Sequence, residues 1–120
     1  MTVSVLIVED SDFMRDMLRD IIDDEFEVVG EAEDGEKGVE AFQEKRPDVV
    51  MMDVVMPNLD GIGATAKIKE EDPGSKVIMC TSVGQEGKMK EAVSVGADAY
   101  ITKPFEDEVV LKAINDVMSQ

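Results

Sequence analysis

The chain has 120 residues, with 28 acidic and 12 basic side chains and a formal charge of −16. That balance excludes a nucleic-acid backbone as a direct partner, since phosphate binding needs clustered Lys and Arg, and it disfavours docking on anionic lipid. The single cysteine, Cys80, rules out an internal disulfide, and the lack of histidine leaves zinc and histidine-based catalysis poorly supported.

The N-terminal stretch MTVSVLIVED has no basic region ahead of its short apolar run. No window approaches the roughly 20 apolar residues of a membrane span. The expectation is a cytoplasmic protein without membrane insertion, forming one domain over residues 1–120. The acidity has two readings. It maintains solubility and steers a basic partner, or it is an adaptation to high salt, where screening removes the self-repulsion.

The elements alternate along the chain. Residues 3–8 are a nearly continuous apolar run ending in Glu9 and Asp10, the pattern of a buried strand. Ser11 or Asp12 then caps a helix with Met14, Met17, Leu18, Ile21 and Ile22 on one face. Residues 26–30 read as a shorter, more polar strand near a sheet edge. A weaker helix over 35–44 turns Gly38, Val39 and Phe42 inward and is stopped by Pro47.

Residues 48–52 form a third strand with Asp53 at its carboxyl end. Pro57, Asn58, Asp60 and Gly61 mark the following loop, and a helix runs from there to about residue 70. Pro73 and Gly74 make a turn before a fourth strand over 77–80. The spacing predicts a helix over 85–95 with Met89, Ala92 and Val93 inward and Gly96 as its left-handed cap. A fifth strand covers 99–101. A last helix covers about 106–118, with Val110, Ala113, Ile114 and Val117 inward. Five βα units of this kind imply an α/β fold with a parallel sheet covered on both faces and right-handed crossovers.

The chemistry-bearing residues share one edge. Glu9 and Asp10 follow strand one, Asp53 ends strand three, Thr81 ends strand four and Lys103 ends strand five. Ligands bind at the carboxyl ends of such strands, where connections change direction. Taken singly, an Asp after a strand is usually a turn former or a helix cap. Jointly, these residues put three carboxylates, a hydroxyl and an ammonium together. Clustered carboxylates repel, and an oxygen-only set suits a hard cation such as Mg²⁺, with Mn²⁺ as a substitute. With Lys103 as a second positive charge and Thr81 as a donor, the group reads as a phosphoryl site in which Asp53 is the nucleophile. A flavin-type redox module would instead need a phosphate-cradling loop after strand one, where this chain carries negative charge.

The stretches VLIVEDSDFMRDML, VVMMDVVMPNLDGI, VIMCTS and AYITKPF together resemble the receiver domain of two-component response regulators, over nearly the whole chain. The FMR, CTSVGQE and GADAYITKPF segments resemble most the stand-alone chemotaxis receivers of the CheY group. The resemblance implies a flavodoxin-like (βα)5 three-layer sandwich with strand order 2-1-3-4-5. It implies that Asp53 accepts a phosphoryl group from a histidine kinase. Mg²⁺ would be held by Asp10, Asp53 and the backbone carbonyl of Val55, with Glu9 acting indirectly through water. Lys103 would contact the phosphoryl group on a loop shaped by Pro104 after a cis bond. Thr81 and Tyr100 would form a switch pair, the hydroxyl moving to the phosphoryl group and the ring turning inward.

The implied partners are a CheA-like chemotaxis kinase, a flagellar or archaellar motor component or adaptor, and a separate CheY phosphatase, with the chain itself a monomer. A receiver in a non-chemotaxis phosphorelay is the alternative. Nothing in the residues suggests turnover of an outside substrate; the chemistry is the protein's own phosphorylation and dephosphorylation. No output domain is evident after the last helix, so the effect is expected through docking. Two apolar residues depart from the polar ones found in some relatives: Val55, two beyond Asp53, and Val83, two beyond Thr81. Neither positions a hydrolytic water, so slow autodephosphorylation is expected.

Overall fold

A computed structural model describes residues 2–82 and 84–120. Its elements in chain order are β1 (Ser4–Val8), α1 (Asp12–Asp23), β2 (Glu27–Ala32), α2 (Gly35–Lys45), β3 (Val49–Asp53), α3 (Gly61–Glu71) and β4 (Lys76–Thr81). There follow a 3₁₀ turn (Glu86–Lys88), α4 (Met89–Ser94), β5 (Ala99–Thr102) and α5 (Asp107–Met118). The five strands form one parallel sheet in the order β2-β1-β3-β4-β5. This is the expected flavodoxin-like arrangement. Val83 lies outside the described residues.

The sheet works because its central strands are apolar on both faces. Successive side chains point to opposite sides, so each strand feeds two cores. Val5, Ile7, Val49, Met51, Ile78 and Cys80 pack with Leu18, Ile22, Ile114 and Val117 under α1 and α5. Leu6, Val8, Val50, Met52, Val77 and Met79 pack with Phe42, Ala64, Ile68 and Ala92 under α2, α3 and α4. Met51, Met52 and Met79 are fully buried, which fits methionine as a filler of irregular gaps.

Side-chain caps set where three helices begin. Ser11 accepts the Met14 amide at 3.2 Å, Asp34 the Lys37 amide at 2.8 Å and Asp60 the Gly63 amide at 2.8 Å. Each satisfies an amide that the helix itself leaves orphaned. The cap positions fix the loops in front of them, and those loops carry the strand-end residues.

Two segments differ from the sequence expectation. β2 continues to Ala32, because its last carbonyl pairs with the Glu9 amide at 3.0 Å and prolongs the ladder toward the acidic pair. The helix expected over 85–95 is a 3₁₀ turn followed by only six α-helical residues. The Gln85 side-chain oxygen reaches back and accepts the Ser82 amide at 2.9 Å, ahead of this turn. A 3₁₀ start winds three residues per turn and rotates the inward face. Ala92 alone is fully buried there, and Val93, expected inward, is 61% exposed.

One acidic cluster sits at a helix end that opposes it. Asp20, Asp23, Asp24 and Glu25 are exposed around the C-terminus of α1, which has no basic residue in its last turn. Negative charge there opposes the helix dipole. Raising KCl from about 0.1 to about 2 M should therefore raise the urea midpoint. Asp23→Lys should stabilise the fold by about 0.5 kcal/mol at the lower salt and by less at the higher. A midpoint indifferent to salt would show that this repulsion does not limit stability.

Candidate functional site

β1 and β3 are neighbours at the middle of the sheet, so their ends bring Glu9, Asp10 and Asp53 together. Carboxylate oxygens of all three lie within 4.8 Å of one another. Glu9 and Asp53 are buried and Asp10 is exposed. Lys103, at the end of β5, reaches across: its Nζ is 2.7 Å from Glu9 Oε1 and 3.3 Å from Asp53 Oδ1. The Lys103 amide donates to the Thr81 carbonyl at 2.7 Å, which anchors the lysine's loop to β4. The Lys103–Pro104 bond is cis.

The charges do not balance. Burial and then the charge of Glu9 push the Asp53 carboxyl up to about 7, against the pull of Lys103. Burial also raises Glu9, but the Lys103 ammonium and the Ser11 amide outweigh it and leave that carboxyl below its ordinary value. Burial works against the charge on Lys103, yet the two carboxylates hold its ammonium above the usual range. Glu9 thus keeps its charge and Asp53 bears the repulsion. Glu9 Oε1 is fully buried and lies 2.7 Å from the Lys103 ammonium. A set of hard oxygen donors that gathers three carboxylates around one ammonium fits one divalent hard cation.

Thr81 is buried, and its hydroxyl donates to the Ile101 carbonyl at 3.4 Å, along the β4–β5 seam. Tyr100 is 43% exposed, on the same side of β5 as Thr102. Val55 is half exposed on the loop after Asp53, and Pro104 is exposed. Cys80 lies beside the site in the core, where burial pushes its thiol well up and keeps it inert.

Two contributors escaped the sequence reading. Arg15 on α1 donates from Nη1 to the Glu9 carbonyl at 2.7 Å, while the Glu31 carboxylate of β2 forms an ion pair with Arg15 Nε at 3.5 Å and accepts from Arg19 Nη1 at 3.1 Å. This fastens the acidic loop to the first helix. Gly61 opens α3 against the backbone of Asp53; a Cβ there would stand 1.9 Å from the Asp53 carbonyl oxygen. Asp60 and Gly61 were visible as loop residues, but the reason for the glycine lies in a through-space approach.

A family model for the response regulator receiver domain matches residues 5–115. The chain belongs to that family. It is 57% identical over 119 residues to the chemotaxis protein CheY of Halobacterium salinarum, covering 99% of both chains. Among solved structures, the response regulator domain of Thermotoga maritima CheB is similar with a TM-score of 0.86 and 39% identity, over 99% of this chain and 96% of that one. The CheX–CheY–BeF₃–Mg²⁺ complex from Borrelia burgdorferi contains a chain similar at a TM-score of 0.91 and 34% identity, over 97% of this chain and 89% of that one. The protein is thus a receiver closely related to CheY-type chemotaxis proteins.

The packing at Gly61 yields a direct test. Gly61→Ala should cost about 1–3 kcal/mol in urea unfolding, since backbone must move to admit the methyl group. Gly87→Ala, where a Cβ meets nothing within 4 Å, should be neutral or slightly stabilising. Equal midpoints for the two variants would refute the close approach.

Proposed function

We propose that the protein is a phosphorylation-activated switch of chemotaxis signalling, acting as a stand-alone monomeric receiver in the cytoplasm. The observation that carries this reading is the Lys103 ammonium 3.3 Å from one oxygen of Asp53, beside an acidic cluster that fits a divalent cation. A CheA-like kinase presents a phosphohistidine. The P–N bond breaks, a P–O bond forms to a carboxylate oxygen of Asp53, and the imidazole leaves and takes up a proton from solvent. Lys103 neutralises the phosphoryl oxygens and keeps them in line. Asp10, Asp53 and the Val55 carbonyl hold Mg²⁺, or Mn²⁺ in its place, with Glu9 contributing through water and Pro104 shaping the lysine's loop. The ion supplies positive charge to the transferring group. The protein thereby promotes only its own modification and its hydrolysis.

Thr81 and Tyr100 read the outcome. The Thr81 hydroxyl has a long bond to Ile101, so little is lost when it turns to a phosphoryl oxygen. The exposed Tyr100 ring then fills the space it leaves. The altered face binds a flagellar or archaellar motor component or its adaptor. A separate phosphatase of the CheY type resets the switch.

Incubation with a small phosphodonor and Mg²⁺, read by intact mass, should add one phosphoryl group to the wild type and none to Asp53→Asn. A wild type that gains no mass would sink the reading. The phosphorylated protein should be long-lived, because the Val55 side chain offers no hydrogen bond to an attacking water. Val55→Asn should speed loss of the phosphoryl group severalfold, followed as phosphate release; an unchanged rate would show that position 55 does not set the lifetime.

A further inference from the structure

The loop between β3 and α3 is fastened to the start of α2, on the side of the sheet away from Lys103. Asn58 lies in the left-handed region at φ 69°, which its short amide side chain tolerates. Its Nδ2 donates to Oδ2 of Asp34 at 3.1 Å. Asp34 is buried and caps α2, giving its other oxygen to the Lys37 amide at 2.8 Å. The Lys37 amide first, and the Asn58 amide after it, hold this carboxyl below its ordinary value against the effect of burial. The bond to Asn58 is therefore charge-assisted at neutral pH.

The contact continues one residue further. The Leu59 carbonyl lies so close over Gly35 that a Cβ would stand 2.0 Å from its oxygen. On its other side the loop is closed by the Gly61 amide donating to the Val54 carbonyl at 2.8 Å. Val55 lies between these two fastenings.

We propose that Asp34 and Asn58 are positioning residues for the Mg²⁺ site, their hydrogen bond holding the 54–60 loop and with it the Val55 backbone. This rests on the reading of Val55 as a residue whose carbonyl holds the ion. Neither residue touches the acidic cluster. They act by removing the freedom of a loop that would otherwise have to be ordered when the cation binds.

The test is a calorimetric Mg²⁺ titration of the full chain, with urea midpoints measured alongside. Asn58→Asp sets two carboxylates face to face and should weaken Mg²⁺ binding about three- to tenfold, although added negative charge alone would tighten it. Combining it with Asp34→Asn rebuilds the bond with donor and acceptor exchanged and restores the original net charge. The pair should return affinity to within about twofold of the wild type. Asn58→Gly, which keeps the left-handed backbone and drops the side chain, should weaken binding in the same direction as Asn58→Asp.

A stability control separates positioning from general loosening. Asp48 accepts the Ser4 amide at 2.9 Å at the opposite end of the sheet, so Asp48→Ala should lower the urea midpoint and leave Mg²⁺ affinity unchanged. Undiminished affinity in Asn58→Asp and Asn58→Gly, or a failure of the exchanged pair to recover it, overturns the proposal. A wild type that binds no Mg²⁺ overturns the metal reading beneath it.

Discussion

Three carboxylates sharing one strand edge with a single ammonium is the constraint on which the rest of this molecule depends. At an effective dielectric of about 20, two unit charges some 5 Å apart repel by about 3 kcal/mol, so such a group does not assemble itself. The fold holds it from outside. β1 and β3, fully buried side by side, bring the acids into range, and the loops that follow are pinned away from the acids. Arg15 takes the Glu9 carbonyl, Asn58 ties the loop after β3 to Asp34, and Gly61 lets α3 press on the Asp53 backbone. Burial, and after it the charge of Glu9, leaves the Asp53 carboxyl raised. That excess of negative charge is what a bound cation can relieve, which makes the site responsive rather than merely acidic.

The sheet explains why these residues can be far apart in sequence. A parallel sheet with crossovers on both faces sends every strand end to one edge, so Glu9 and Lys103 meet through the chain's topology, with no local motif. The two cores also divide the work. The side under α1 and α5 supports the Lys103 loop through Phe105 and Ile101, and the side under α2 and α3 supports the loop that carries Val55.

Much of this was legible in the residues because it is periodic or local. Residues 49–52 announce a doubly buried strand by their unbroken apolar run, and Ser11 is a capping type in a capping position. The strand-end acids and Lys103 followed once five βα units were counted. α4 was misread because the 3₁₀ turn before it changes the winding, which a fixed 3.6-residue period cannot anticipate. Arg15, the Asp34–Asn58 bond and the clash at Gly61 are tertiary facts: each depends on how closely two elements approach. Thr81 was readable as a donor at a strand end, whereas the switch role proposed for Tyr100 came from family resemblance alone; an exposed tyrosine has no pattern that announces a switch.

The same geometry says where a signal can travel. The centre of the sheet is fully buried on both faces and has no low-cost alternative packing. The β4–β5 side differs. Its connecting helix is six residues long with one fully buried side chain, Val93 and Tyr100 stand exposed, and the Thr81 hydroxyl makes a long bond to the Ile101 carbonyl. Segments with few buried apolar groups open at the least free-energy cost. Lys103 joins this softer side to Asp53 directly, through its ion pair, and to β4, through the Thr81 carbonyl. A change of charge on Asp53 therefore acts first on the residue whose backbone belongs to the yielding half. The rigid half fixes the site, and the yielding half is the part free to answer it.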